Sequence, residues 1–304
     1  MSRRIEHDLT GRCGTVAIIG RPNVGKSTLV NRLVGQKVAI TSRKPQTTRH
    51  RVLGIVTFEG SQLVLADTPG WQARPRTAMD KLMNRQIDRA LAEMDAVLML
   101  ADARNWTAAD DAVAEVLVAS PCPRFLGLNK IDRVPDKAHL LPMIAGLAQR
   151  MPGVEIVPIS GMKGAGVIEL QRALVRALPA REALFPEDQV TDQSERALAA
   201  ELLREQLMRQ LGEEIPYASR VVIVSFEDRP DVTWIEAEIW VEKDGQKAIV
   251  IGRNGARLKE LGTAARRALE QMLARPVYLR THVKTRPAWT QDPATLARLE
   301  LGSS

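Results

Sequence analysis

Over its first 180 residues the chain alternates short apolar, β-branched runs with longer stretches whose apolar side chains recur every three or four positions. The runs predict strands at Thr15 to Gly20, Val52 to Glu59, Leu63 to Ala66, Ala96 to Asp102, Arg124 to Asn129 and Glu155 to Ser160. The helical spacing falls at Lys26 to Leu33, Met79 to Glu93, Ala108 to Ala119, Lys137 to Arg150 and Val167 to Leu178. Such alternation builds a doubly wound α/β domain, a mostly parallel sheet covered on both faces. Pro179 and Pro186 interrupt the pattern, so the expected division is a first domain at 1–180, a linker at 181–191 and a second domain at 192–304.

The second domain reads differently. Asp192-Gln193-Ser194-Glu195 opens an amphipathic helix running to about Leu211. Val221 to Phe226 and Val232 to Glu242 are strand-like, separated by the turn Asp228-Arg229-Pro230-Asp231. An apolar helix then leads into Gly252-Arg253-Asn254-Gly255, followed by a helix to about Ala274 and a strand from Val277 to Lys284. The order helix–strand–strand–helix–Gly-x-x-Gly–helix–strand is that of an α+β KH domain of the second topological type. In such a loop the glycines let a sugar–phosphate chain lie on the backbone, facing the amides that open the next helix. Ile251, Gly252, Arg253, Asn254, Gly255, Arg257 and Lys259 are the candidate RNA contacts. Ile249, Ile251, Leu258 and Leu261 either line the groove or pack in the core. Aromatic residues are only 4% of the chain, which argues against a stacking platform like that of an RRM.

Charge sharpens this picture. The chain carries a formal +7, and residues 251–288 alone hold nine basic side chains against Glu260 and Glu270. A concentration of one sign is the footprint of a polyanion partner, with an anionic membrane surface as the rival to nucleic acid. No apolar run approaches the ~18 residues needed to span a bilayer, and the amino terminus has no apolar segment behind its basic residues. Cys13 and Cys122 have no metal spacing, so a reduced, cytoplasmic setting is expected. At 304 residues and 45% hydrophobic content there is material for two packed cores.

The chemistry of the first domain sits in three motifs. Gly20-Arg21-Pro22-Asn23-Val24-Gly25-Lys26-Ser27 is a complete P-loop, with Thr28 just after it. Its backbone amides cradle phosphates, Lys26 reaches the β- and γ-phosphates, and Ser27 holds Mg²⁺. Asp67-Thr68-Pro69-Gly70 ends an apolar strand, where Asp67 can hold Mg²⁺ through water and the Gly70 amide can sense the γ-phosphate. The polar loop from Ser42 to Arg51 supplies Thr48 as a further Mg²⁺ ligand. Asn129-Lys130-Ile131-Asp132 names the base: the Asp132 carboxylate accepts from guanine N1–H and N2–H₂, a donor pair adenine lacks. Asn129 ties the base loop to the P-loop and the Lys130 stem covers the ring. No residue reads as a general base, which suits phosphoryl transfer governed by positioning and electrostatics.

Together these motifs resemble the Era family, within the TrmE–Era–EngA group of bacterial GTPases. The likeness rests on Gly20 to Thr28, Gln46-Thr-Thr-Arg-His50, Asp67 to Gly70, Asn129 to Asp132, Phe185-Pro-Glu-Asp188 and Ile249 to Gly255. It implies a slow GTP-hydrolysing switch binding GTP and GDP. It also implies an RNA-binding KH unit that holds the 3′ end of 16S rRNA and assists 30S subunit assembly. Peripheral contact with the inner face of the cell membrane is a further implication, and a membrane-surface regulatory GTPase is the alternative. Lys26, Thr48, Gly70 and Asn23 are the expected catalytic groups, Asn23 matching the position where related GTPases hold K⁺. Ser160-Gly161-Met162 occupies the base-supporting loop, where the family usually reads Ser-Ala-x, so Gly161 leaves that loop less rigid. Trp71 follows Gly70 where Ras-like enzymes place a water-orienting Gln; its indole, a donor only, does not replace that side-chain amide, and Gln72 is the alternative.

Overall fold

The computed structural model describes residues 10–42, 44, 47, 51–68, 93–212 and 215–287. Among them the chain forms two compact units, Met1–Ala39 with Thr48–Asp192 and Ile40–Thr47 with Gln193–Ser304. All but the last residue of the expected helix at Met79 to Glu93, the sites Thr48, Pro69 and Gly70, and the residues Trp71 and Trp289 lie outside the described residues.

The first unit has strands β1 (Cys13–Ile19), β2 (Val52–Phe58), β3 (Ser61–Asp67), β4 (Ala96–Asp102), β5 (Arg124–Asn129) and β6 (Val154–Pro158). Its described helices are α1 (Lys26–Val34), α2 (Ala108–Ala119), α3 (Leu140–Arg150) and α4 (Val167–Ala177). The sheet order is β2-β3-β1-β4-β5-β6, with β2 antiparallel to β3 and every other pair parallel. β3 and β4 are buried at all seven positions, as expected of central strands covered on both faces. One core layer carries Val16, Ile18, Leu29 and Leu174; the other carries Ala17, Ile19, Leu117 and Leu147. The alternation of β1 therefore feeds both layers. Lys137 to Arg150 divides into a short 3-10 turn, Lys137–His139, and then α3.

Residues 181–191 are fastened down rather than free. The amides of Leu184 and Phe185 donate to Gln62 Oε1 at 2.9 and 3.0 Å, and Gln62 Nε2 donates to the Phe185 carbonyl at 2.8 Å. The Ile55 amide donates to Val190 O at 2.8 Å and the Leu53 amide to Asp192 Oδ1 at 3.2 Å. Pro186 removes one amide from the segment, and neighbouring groups and β2 still hold its backbone.

The second unit comprises α5 (Glu195–Gln210), β7 (Arg220–Asp228), β8 (Thr233–Val241), α6 (Asp244–Ile251), α7 (Ala256–Leu273) and β9 (Val277–Thr285). β8 is central, antiparallel to β7 and parallel to β9. Ser194 caps α5 by accepting from the Ala197 amide at 3.2 Å. Leu202, Leu203 and Leu207 of α5 join Leu261, Ala265 and Leu269 of α7 on the sheet's inner face, against Ile235, Ala237 and Ile239. Residues 40–47 belong here too. The Thr41 amide and hydroxyl donate to Glu205 Oε1 at 2.9 and 3.2 Å, Arg209 reaches both Thr41 and Glu205, and Lys44 Nζ donates to the Gly212 carbonyl at 3.0 Å.

Candidate nucleotide site and RNA-binding loop

In the first unit every motif arrives at the carboxyl end of a strand, where doubly wound sheets bind their ligands. The P-loop follows β1, Asp67 ends β3, Asp102 ends β4, Asn129 ends β5 and Ser160 follows β6. The P-loop's shape explains its composition. Gly25 has φ 107°, and a Cβ there would sit 2.5 Å from Asn129 Nδ2, so both conformation and space require glycine. Asn23 adopts φ 65°, a left-handed conformation that asparagine tolerates.

Lys26 is 7% exposed, and its Nζ donates to the carbonyl of Gly20 at 3.1 Å and of Arg21 at 3.4 Å. Burial draws its ammonium down to about 8, against the opposing pull of Asp67. Ser27 Oγ donates to Asp67 Oδ2 at 2.7 Å, and Asp67 is fully buried. A hydroxyl and a carboxylate held together beside a phosphate cradle are the hard-oxygen groups that would hold Mg²⁺. These residues fit the ion. Thr68 turns inward, donating from Oγ1 to Ile18 O at 2.7 Å, which leaves its backbone to face a ligand.

Asn129 joins the two halves of the site. Its Nδ2 donates to the Val24 carbonyl at 2.8 Å, while its Oδ1 accepts the amides of Lys130 at 2.8 Å and Gly161 at 2.9 Å. Ser160 Oγ donates to Asp132 Oδ1 at 2.6 Å, holding in place the carboxylate expected to read the base. Lys130 sits at φ 67° and its Nζ donates to the Asn23 carbonyl at 2.6 Å.

Two anchors were not legible beforehand. Asp102 accepts from Lys130 Nζ at 2.9 Å and from Arg104 Nε and Nη2 at 2.9 and 2.7 Å. Burial raises this carboxyl, but the hydrogen bonds from Arg104 and Lys130 prevail and hold it far below the usual carboxylate range. Asp110, fully buried at the start of α2, accepts Arg21 Nε at 2.9 Å on both oxygens. The Arg21 guanidinium also donates to the Asn105 carbonyl at 3.1 Å. Arg21 therefore braces the P-loop with its side chain, which leaves its backbone as the part available to a ligand. Neither aspartate belongs to a nucleotide motif, and an aspartate near a helix start reads as a cap.

In the second unit, Gly252 has φ 73° and a Cβ there would meet Arg257 Cβ at 2.7 Å. Gly255, at φ 76°, opens α7, whose first-turn amides face the loop. Arg253, Asn254, Arg257 and Lys259 are exposed around it, and Arg257 Nη1 donates to Ile249 O at 3.0 Å. Ile249 is 46% exposed, Ile251 and Leu258 are half-buried, and Leu261 is wholly inside the core. Of the four aliphatic groove candidates, Leu261 is thus a core residue.

The family model described as a 50S ribosome-binding GTPase matches residues 15–130, and the KH domain model matches residues 214–290. The GTPase Era of Xanthomonas oryzae pv. oryzae (strain MAFF 311018) is 48% identical over 285 residues, covering 94% of this chain and 95% of that protein. The chain belongs to the GTPase Era family. The Stenotrophomonas maltophilia (strain K279a) member is 47% identical over 296 residues, 97% of this chain and 98% of its own. Among solved structures, Era in complex with MgGDPNP and nucleotides 1506–1542 of 16S ribosomal RNA superimposes with a TM-score of 0.90. It is 39% identical, over 96% of this chain and 99% of that one. A point-substituted Aquifex aeolicus Era bound to GDP·AlF4⁻ has the same TM-score and identity, over 96% of this chain and 100% of that one. The Era family is thus the frame in which both units are to be understood.

Proposed function

We propose that the chain is a GTP-binding, GTP-hydrolysing switch whose KH unit holds the 3′ end of 16S rRNA and assists 30S subunit assembly in the cytoplasm. The observation that carries the nucleotide half is the Asn129 bridge, which locks a guanine-reading Asp132 to a phosphate cradle. The rRNA half draws on the Era complex with nucleotides 1506–1542 and on the exposed basic loop from Ile251 to Lys259. Residues 1–180 are the nucleotide domain and 192–304 the RNA domain, with 181–191 the strap between them.

Ser27 and Asp67, with Thr48, hold Mg²⁺, which neutralises charge on the β- and γ-oxygens. Lys26 meets the same oxygens from within the P-loop. Asn23 offers a K⁺ ligand in place of an arginine finger, whose absence costs ~10³–10⁵-fold in rate. Equal hydrolysis rates in K⁺ and Na⁺ would count against that role. Thr48 directly follows the segment 40–47, which the second unit holds through Glu205, Arg209 and Lys44, so ordering of Thr48 by GTP pulls on the RNA-binding unit.

No helix among the described residues is long and apolar enough to cross a membrane, so contact with its inner face would be peripheral. Crosslinking and sequencing of RNA bound in GTP and in GDP tests the central reading. Enrichment of the 16S 3′ end is expected; preference for ATP over GTP, or capture of no rRNA in either state, would end it.

A further inference from the structure

The outward face of the β7–β8–β9 sheet is built for stacking. β8 alternates strictly, sending Thr233, Ile235, Ala237, Ile239 and Val241 inward and Trp234, Glu236, Glu238 and Trp240 outward. Pairing aligns Glu227, Trp234 and Tyr278 in one row across the three strands, and Arg220, Trp240 and Lys284 in another. Three of the chain's eleven Trp, Tyr and Phe residues thus share one outward face, so a low aromatic total conceals a local concentration.

Trp234 and Tyr278 stack with centroids 3.9 Å apart and planes 22° apart, and the Arg229 guanidinium lies over Trp234 at 4.4 Å. Tyr278 is 45% exposed. Arg220 and Arg286 lie over Trp240 at 5.4 and 5.2 Å, one on each flanking side of the central strand. Cross-strand packing accounts for the contact between Trp234 and Tyr278. It does not account for an exposed Tyr278 or for a tryptophan attended by two guanidiniums on the face turned away from the core.

We propose that this face is a second RNA contact, where bases of a single strand stack on Tyr278 and Trp240 while Arg280, Lys284 and Arg286 meet its phosphates. It rests on the KH unit being an RNA binder. Trp234 and Trp240 are six residues apart on one strand, about 20 Å, so the face accepts a run of nucleotides rather than one base. Charge selects RNA over a protein partner. Arg220, Arg229, Arg280, Lys284 and Arg286 outnumber Glu227, Glu236 and Glu238, and each acid already has a partner. Arg229 pairs with Glu227 at 2.8 Å, His282 Nε2 lies 3.3 Å from Glu236, and Lys284 binds Glu238. Stacking on aromatics beside cations is how single strands are held without base readout.

Full-length protein is titrated with two RNAs from the 16S 3′ end, one of about six nucleotides filling only the Gly-x-x-Gly groove and one of about sixteen. Tyr278→Ala should weaken the longer RNA by roughly 5- to 30-fold and leave the shorter unchanged, with the melting temperature held. Tyr278→Phe should restore most of the loss. Removing Arg280 and Arg286 should lower the salt slope for the longer RNA alone, by ~0.7 per contact. Unchanged affinity in Tyr278→Ala, or equal loss for both RNAs, overturns the proposal, as does a wild-type dimer that Tyr278→Ala dissociates. Gly252→Asp/Gly255→Asp judges the KH reading separately, because only that pair should abolish the shorter RNA.

Discussion

At the scale of single residues, the site is governed by what lies next to each backbone. Gly161 stands where the family favours alanine, yet its φ is not positive and a Cβ would meet only Asn129 Oδ1 and Leu29 at 3.6 Å or more. Gly161→Ala should therefore stabilise the nucleotide unit by ~0.4–1 kcal/mol, seen as a higher melting temperature with GDP affinity intact. A drop in either would refute the fit. Lys26 gives a pH signature. Burial brings it to about 8, so above that pH the free site carries an amine that must regain a proton to meet phosphate. GTP affinity should fall by up to tenfold per pH unit above 8, and calorimetry at about pH 9 should register proton uptake; a flat profile would dispose of the idea. The sign for folding is opposite. The unfolded lysine keeps its proton to about 10.5, so this group favours folding increasingly as pH rises from 8 to 10.5.

At the scale of elements, the apolar runs located the described strands within a residue or two because central strands must be apolar on both faces, while α3 starts three residues after its expected beginning. β4, β5 and α2 match their expected bounds outright. The motif residues were legible because backbone-based phosphate and base binding demands fixed residue types at fixed spacing. The braces were not. Asp110 is 89 positions from Arg21 and Asp102 is 28 from Lys130, distances over which a single sequence carries no pairing signal. Leu261 was ambiguous for the same reason, since an amphipathic helix does not declare which stripe a groove borders. Asp110→Ala removes the brace on the P-loop and the acceptor for the Thr107 amide at 2.9 Å. Leaving Arg21 without its buried partner should cost roughly 2–4 kcal/mol, with GTP and GDP weakened together and turnover of bound GTP preserved. Selective loss of turnover would instead put Arg21 at the γ-phosphate.

At the scale of the whole molecule, residues 40–47 come early in the chain yet belong to the second compact unit. Glu205 is fully buried and accepts from Thr41 and Arg209. Glu205→Gln keeps the shape and removes the charge, so the ratio of RNA affinities in GTP and GDP should move toward one, while GTP affinity stays within about twofold. An unchanged ratio would sever the loop from the switch. The expected division by sequence order hid this arrangement, because prolines mark where a pattern stops and say nothing about a distant segment returning.

The 164 positions between Thr41 and Glu205 also impose a schedule on synthesis. At ~5–20 residues per second, a nascent chain waits on the order of ten to thirty seconds after making residues 40–47 before their holding helix exists. Throughout that interval the segment 40–47 has no Glu205 or Arg209 to hold it. Trypsin should therefore cut the bond between Arg43 and Lys44, since Pro45 protects the next one, in a chain halted at Asp192 and spare it in the finished protein; equal cleavage would mean the late helix gives no shelter.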